Sequence, residues 1–226
     1  MQIIISILAA GAAVLWVGTA HAQGMPSVSV QADTVIADGS FYSDPPFVRE
    51  QGNDLRTYQA STGLTSPTGT AETSCTTSAS MGRLRTASSQ AAFDSVLGGS
   101  ASCSTDASFS DFVVASAPGL AAGDAITYEI KAKFVASKPS TGKESISMCV
   151  GLGDSFQCSE TSKPFKLKLR TTVGTVLQVR AQLGTSVRAD SEQRSTAIAS
   201  TKLVRVILAS PTAGANLIGT SGYLYR

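Results

Sequence analysis

The stretch Ala125-Ile-Thr-Tyr-Glu-Ile-Lys-Ala-Lys-Phe-Val135 decides the fold of this chain. Its apolar side chains, Ile126, Tyr128, Ile130, Ala132 and Phe134, alternate with the polar ones, Thr127, Glu129, Lys131 and Lys133. Because successive side chains of a β-strand point to opposite faces, the pattern predicts a strand with one buried and one solvated face. The turn residues Ala121-Ala-Gly-Asp124 mark the start of this strand.

The same alternation recurs on either side of this stretch. It is present in segments 28–32, 145–150, 165–170, 176–183, 203–208 and 222–226, with turn residues between them. The chain has 32 serines and 23 threonines, which suit polar-faced strands and turns better than helices. Strands at such intervals predict an all-β fold, an antiparallel β-sandwich or jelly roll. Only Ser88 to Leu97 has the pattern of a short helical turn.

The first 22 residues have the features of a signal peptide. An apolar run from Ile3 to Val17 is followed by Ala20-His21-Ala22, a small-x-small cleavage site. The alternative is a membrane anchor, but this run is shorter than the ~20 residues that span a bilayer. No Lys or Arg lies near Met1, which is unusual for a signal peptide. We expect residues 23–226 to form a single domain in which region 41–70 is a long loop or a pair of short edge strands.

Four cysteines lie in the predicted mature chain, and an even number after a signal peptide indicates two disulfides. We expect Cys75–Cys103 and Cys149–Cys158, because the second pair brackets a glycine-containing turn that a disulfide would staple as a hairpin. A zinc site is the weaker interpretation, since zinc ligands come in close pairs such as C-x-x-C. The disulfides predict an oxidising compartment, either periplasmic or extracellular.

Several phrases resemble a diffuse group of secreted bacterial β-sandwich proteins, many of which carry a PEP-CTERM sorting tail. They are Ala107-Ser-Phe-Ser-Asp-Phe-Val-Val, Pro118-Gly-Leu-Ala-Ala-Gly-Asp, Val187-Arg-Ala-Asp-Ser-Glu-Gln-Arg and Leu217-Ile-Gly-Thr-Ser-Gly-Tyr. The resemblance implies an association with the cell envelope or extracellular polymer. The sequence ends at Arg226 without a Pro-Glu-Pro motif, so the expectation is a version without the sorting tail.

The expected mature chain lacks several common catalytic groups, because His21 and Trp16 are the only histidine and tryptophan. This composition argues against a Ser-His-Asp triad and a His-ligated metal. Carboxylates such as Glu129 and Glu144 could form a glycosidase pair, but Glu129 is better explained as a residue of a solvated strand face. The net charge of +2, with Lys and Arg spread along the chain, argues against nucleic acid and acidic lipid as partners.

Two tyrosines are candidate ligand-binding residues. Tyr42 and Tyr58 lie in the irregular region, where exposed aromatic rings can stack on a sugar, although packing beneath the loop is the alternative. We expect no cofactor; calcium is the weaker alternative, because aspartates near turns offer the oxygens that it binds. These aspartates, for which turn capping is the alternative role, are Asp33, Asp38, Asp44, Asp54 and Asp154.

Three functions follow from these observations. The leading expectation is a secreted non-catalytic β-sandwich with a binding, adhesive or structural role, whose partner is a polysaccharide or an envelope protein. The second is a jelly-roll glycan-binding module or glycosidase. The third is a polymerising subunit like a chaperone–usher pilin, because Gly222-Tyr-Leu-Tyr-Arg226 looks like a final strand and Val28 and Val30 could belong to a donor strand.

Overall fold

The computed structural model describes residues 25–38, 41–43, 48–93, 98–138, 143–190 and 196–226. The predicted signal peptide, residues 1–22, lies outside these ranges. The described chain folds into two antiparallel sheets that pack face to face. Within these ranges, no helix is long and apolar enough to cross a membrane.

The first sheet, sheet A, has seven strands in the order β10-β9-β12-β7-β1-β2, and β3 also pairs with β1. Its strands are β1 (Ser27–Asp38), β2 (Phe41–Ser43), β3 (Val48–Gly52), β7 (Gly99–Val114), β9 (Lys143–Leu152), β10 (Ser155–Ser159) and β12 (Val176–Asp190). The second sheet, sheet B, has six strands in the order β11-β8-β13-β6-β5-β4. They are β4 (Tyr58–Thr65), β5 (Ala71–Ser80), β6 (Arg83–Phe93), β8 (Ala125–Ser137), β11 (Pro164–Thr172) and β13 (Thr196–Ala209).

The predicted fold class is confirmed. The deciding stretch is β8, and the five apolar side chains that alternate along it are all buried between the sheets. The hydrophobic cluster of the core is continuous and takes side chains from the inner faces of both sheets. Alternation placed the apolar groups correctly because it follows from strand geometry alone.

Two local predictions were wrong. Residues 88–93, predicted as part of a helical turn, belong to strand β6, and residues 94–97 lie outside the described chain. Segment 222–226, predicted as a last strand, follows the strands as part of a folded tail with one isolated bridge, Ile218 to Leu224. Region 41–70 contains β2, β3 and β4, which is more regular than a long loop.

Both predicted disulfides are present. Cys75 on β5 joins Cys103 on β7, so this bond links sheet B to sheet A through the core. Cys149 and Cys158 are cross-strand partners in the β9–β10 hairpin, and their disulfide staples that hairpin as expected. The described residues contain no free cysteine.

Candidate functional site

Charge is divided unequally between the two sheets. The strands of sheet B contain nine lysines and arginines and two glutamates, which gives a formal charge of +7. The strands of sheet A contain four basic residues and seven carboxylic acids, a formal charge of −3. The nearly neutral total of +2 therefore conceals a strongly polarised molecule.

The cations of sheet B gather on its outer surface. We call this surface the basic face and define it by Arg83, Lys131, Lys133, Lys166, Lys168, Arg170, Lys202 and Arg205, all of which are exposed. They come from β6, β8, β11 and β13, and more than 20 residues separate each of these strands from the next one along the chain. The strand order of sheet B makes these strands neighbours and so collects their outward side chains.

Like charges oppose one another across neighbouring strands of the basic face. Lys131 on β8 is the register partner of Lys166 on β11, and Lys133 is the partner of Arg205 on β13. Directly opposed like charges destabilise a sheet by up to about 1 kcal/mol per pair. A bound anion would relieve this cost at Lys133 and Arg205, whereas Glu129 lies close to both Lys131 and Lys166.

One carboxylate lies within this arrangement. The Glu129 carboxylate is 2.9 Å from the Lys131 ammonium, 3.3 Å from that of Lys166 and 3.6 Å from that of Lys168. The hydrogen bond from Lys131, with smaller effects from Lys166, lowers the pKa of Glu129, so the carboxylate is charged at neutral pH. We call the three lysines the lysine ladder. Because Glu129 neutralises one of three charges, the ladder retains a charge of about +2.

A cleft opens where sheet B divides. Strands β13 and β6 pair from Thr196–Ala92 to Thr201–Ala87 and then separate. A cavity of about 760 Å³ lies between the separated segments, within the range of pockets that bind small molecules. We call it the split-sheet cleft, and its charged and aromatic lining residues are Arg83, Lys202, Arg205, Tyr223 and Arg226.

A buried aspartate positions the part of the lining that comes from the C-terminal tail, residues 210–226. Asp111 on β7 is completely buried and accepts hydrogen bonds from Ser221 Oγ (2.6 Å), Ser221 N (3.1 Å), Tyr225 Oη (3.0 Å) and Thr220 Oγ1 (3.3 Å). The ring of Tyr225 also stacks on Phe109, with 6.4 Å between ring centroids. Burial, followed by the nearby charge of Asp111, raises the pKa of Tyr225 far above its usual value.

The anchored tail then carries Tyr223 across to sheet B. Its ring makes an edge contact with Tyr225, at 4.8 Å between centroids, and also contacts Gly82 in the β5–β6 turn. A side chain at Gly82 would overlap this ring, and the φ of +70° at that turn favours glycine independently. Arg83 Nε donates a long hydrogen bond of 3.4 Å to Tyr223 Oη, which directs the guanidinium towards the cleft.

The two tyrosines proposed from the sequence lie elsewhere. Tyr58 is 1% exposed and donates a hydrogen bond to Asp54, so it is a core residue. Its position agrees with the alternative role expected from the sequence, packing beneath the loop. Tyr42 on β2 is 66% exposed. Tyr223, which the sequence offered no reason to select, is the tyrosine that lines the cleft.

The acidic candidates are dispersed as well. Glu129 lies on sheet B and Glu144 on sheet A, so the fold does not pair them. Asp54 accepts a hydrogen bond from the Arg56 amide, as a turn-capping aspartate does. Within the described residues, no group of three His, Cys, Asp or Glu side chains is arranged to hold a metal ion.

No protein-family model matches this chain, and no curated protein or solved structure matches it either. Fold and surface therefore define its class: a disulfide-linked β-sandwich with one basic outer face.

Proposed function

We propose that this chain is an exported, non-catalytic β-sandwich protein of the bacterial envelope or extracellular matrix that binds an acidic polysaccharide through its basic face. The observation that carries the proposal is the concentration of eight cations on one face of a chain whose net charge is +2. A polyanion with regularly spaced charges matches a face on which cations recur at strand spacing.

Export is supported by the signal-like N-terminus and the two disulfides, which suit an oxidising compartment. The resemblance to secreted bacterial β-sandwich proteins supports the envelope or matrix as the location. A polysaccharide is favoured over nucleic acid because the resemblance is to proteins associated with the extracellular polymer.

The two alternatives have less support. A glycosidase needs two carboxyl groups about 5 to 9.5 Å apart, whereas Glu129 is surrounded by lysines. A pilin-like subunit needs a strand to donate, whereas β1 is already paired with β7 of its own chain over twelve residues.

Binding to a soluble polyuronate such as alginate tests the proposal, with neutral dextran as the control polymer. We expect retardation of the purified protein in alginate-containing native gels and no retardation in dextran. Binding should weaken between about 20 mM and about 200 mM salt, because the screening length shortens across that range.

Two matched triple variants locate the binding surface. The ladder variant carries Lys131→Gln, Lys166→Gln and Lys168→Gln. The control carries Arg49→Gln, Lys143→Gln and Arg188→Gln on sheet A, so both variants remove the same number of charges from exposed positions. We expect alginate affinity to fall about tenfold in the ladder variant, since each exposed contact contributes up to about 1 kcal/mol before screening, and less than twofold in the control. Equal losses in the two variants would refute a surface-specific site.

A further inference from the structure

We propose that the split-sheet cleft binds one acidic sugar unit of the polymer. The Arg83 guanidinium would hold the anionic group, and the Tyr223 ring would lie against the sugar. This inference rests on the proposed function and adds a specific subsite to it. The lysine ladder lies outside this subsite and supplies only long-range electrostatic attraction for the polymer.

The cleft retains cations that the protein does not neutralise. Among the described residues, Arg83, Lys202 and Arg205 form no ion pair with a carboxylate, whereas each lysine of the ladder lies near Glu129. The two glutamates in the strands of sheet B are Glu129 and Glu72, and neither lines the cleft. An anion entering the cleft would therefore meet positive charge without a competing Asp or Glu side chain.

Backbone N–H and C=O groups at the cleft also lack a neighbouring strand on one side. Strand β13 beyond Thr201 pairs with β8, and β6 before Ala87 pairs with β5, but the two no longer pair with each other. A β-bulge between Leu203 and Arg205 adds Val204 to the edge, leaving this residue 50% exposed. Such bulges redirect side chains beside binding sites, and edge N–H and C=O groups can bind sugar hydroxyls.

Arg83 and Tyr223 are held in place before a ligand arrives. The hydrogen bond from Arg83 Nε to the Tyr223 phenol leaves the two terminal nitrogens of the guanidinium for a bidentate contact with a carboxylate or sulfate. Tyr223 is itself fixed by Gly82, Tyr225 and the anchor at Asp111. Partly buried aromatic rings with a polar tip are suited to stacking against a sugar while hydrogen-bonding at the edge.

Three trisaccharides identify the ligand chemistry by isothermal titration calorimetry. The probes are a trigalacturonate, a sulfated trisaccharide and neutral maltotriose. We expect the acidic trisaccharides to bind and maltotriose to bind at least tenfold more weakly, because the proposed contact needs the anion. Comparison of the first two shows whether carboxylate or sulfate is the preferred anionic group.

Variants then locate the binding in the cleft. We expect Arg83→Gln to weaken binding of the acidic trisaccharide at least tenfold, and Arg83→Lys to weaken it less, because lysine keeps the charge but not the fork of donors. Tyr223→Phe keeps the ring and removes the hydrogen bond to Arg83, so its affinity should lie between that of the wild type and Arg83→Gln. Lys143→Gln, an exposed charge removal on sheet A, should leave binding within twofold.

The outcomes separate this inference from the proposed function. Alginate binding that depends on the ladder, combined with trisaccharide binding that ignores Arg83, overturns the cleft proposal alone. Trisaccharide binding that depends on Arg83, combined with no alginate binding, supports the cleft and refutes the general face. Equal binding of maltotriose and the acidic trisaccharides overturns the assignment to an acidic sugar. If Tyr223→Phe unfolds, the two Arg83 variants still decide the result.

Discussion

Substitution of Asp111 by alanine should release the C-terminal tail from the sandwich. Asp111 is the only acceptor shared by Thr220, Ser221 and Tyr225 among the described contacts, and its carboxylate receives four hydrogen bonds from these three residues. The substitution leaves the phenol of Tyr225 buried without its partner. It removes the densest group of hydrogen bonds between the tail and β7, and leaves those from Thr220 N to Phe112 O and from Asn216 Nδ2 to Val114 O.

The magnitude follows from the number and kind of these contacts. A hydrogen bond to a charged group contributes about 1.5–3 kcal/mol when it is considered alone. Four such bonds within one network are not additive, and the released part of the tail would form hydrogen bonds with water instead. We therefore expect the free energy of unfolding to fall by about 3–5 kcal/mol, as it does when a buried charge network is broken. In a domain of this size that corresponds to a fall in Tm of roughly 6–20 °C.

Urea and thermal unfolding measure this change, and amide hydrogen exchange locates it. We expect exchange to accelerate first at the amides of Thr220, Tyr223 and Tyr225, which bond within the tail or to β7. Ser108→Ala, on the outer face of the same strand, is the control and should cost less than about 0.5 kcal/mol. A loss below about 1 kcal/mol for Asp111→Ala, with tail amides still protected, would refute the anchoring role.

Three further predictions concern the same framework. Because the folded-state pKa of Tyr225 is raised, the contribution of this residue to stability should be constant below about pH 10, where free tyrosine titrates, and should fall above it. Tyr225→Phe should therefore reduce the alkaline loss of stability in urea titrations at about pH 9 to 11. Gly219→Ala should lower the free energy of unfolding by at least about 2 kcal/mol, because the new methyl group overlaps the Asp111 carboxylate. The control Gly184→Ala, whose methyl group would make only ordinary van der Waals contacts, should lower it by less than about 1 kcal/mol in the same urea titration. Replacing both cysteines of Cys75–Cys103 by alanine should lower the free energy of unfolding by about 3.5 kcal/mol, and replacing those of Cys149–Cys158 should lower it by about 2.5 kcal/mol. The difference arises because the first disulfide joins residues 28 apart in sequence and the second joins residues 9 apart. Equal urea midpoints for the two variants would contradict this order.

The conformation of the C-terminal tail could not be predicted from the local sequence pattern. Alternation in Gly222-Tyr-Leu-Tyr-Arg226 predicted a strand, but the segment joins neither sheet. It forms one isolated bridge within the tail, and Tyr225 donates a hydrogen bond to Asp111. A signal was nevertheless present in the sequence. Asp111 occupies the inward phase of β7, between Phe109 and Val113, where a carboxylate requires hydrogen-bond donors. The sequence could not identify these donors, because they lie about a hundred residues further along the chain.

The sequence by itself determined the β class and the inward and outward faces of β8, and it favoured the disulfide pairing that the structure shows. Each of these depends on side-chain period or on the number and spacing of a few cysteines, which are readable along the chain. Only the tertiary structure decided where charge collects. Basic residues that are dispersed in sequence, such as Arg83, Lys166 and Arg205, come together because β6, β13, β8 and β11 are neighbours in one sheet. Strand order is a non-local property set by the packing of the whole core, so neither composition nor periodicity could have predicted the basic face or the cleft within it.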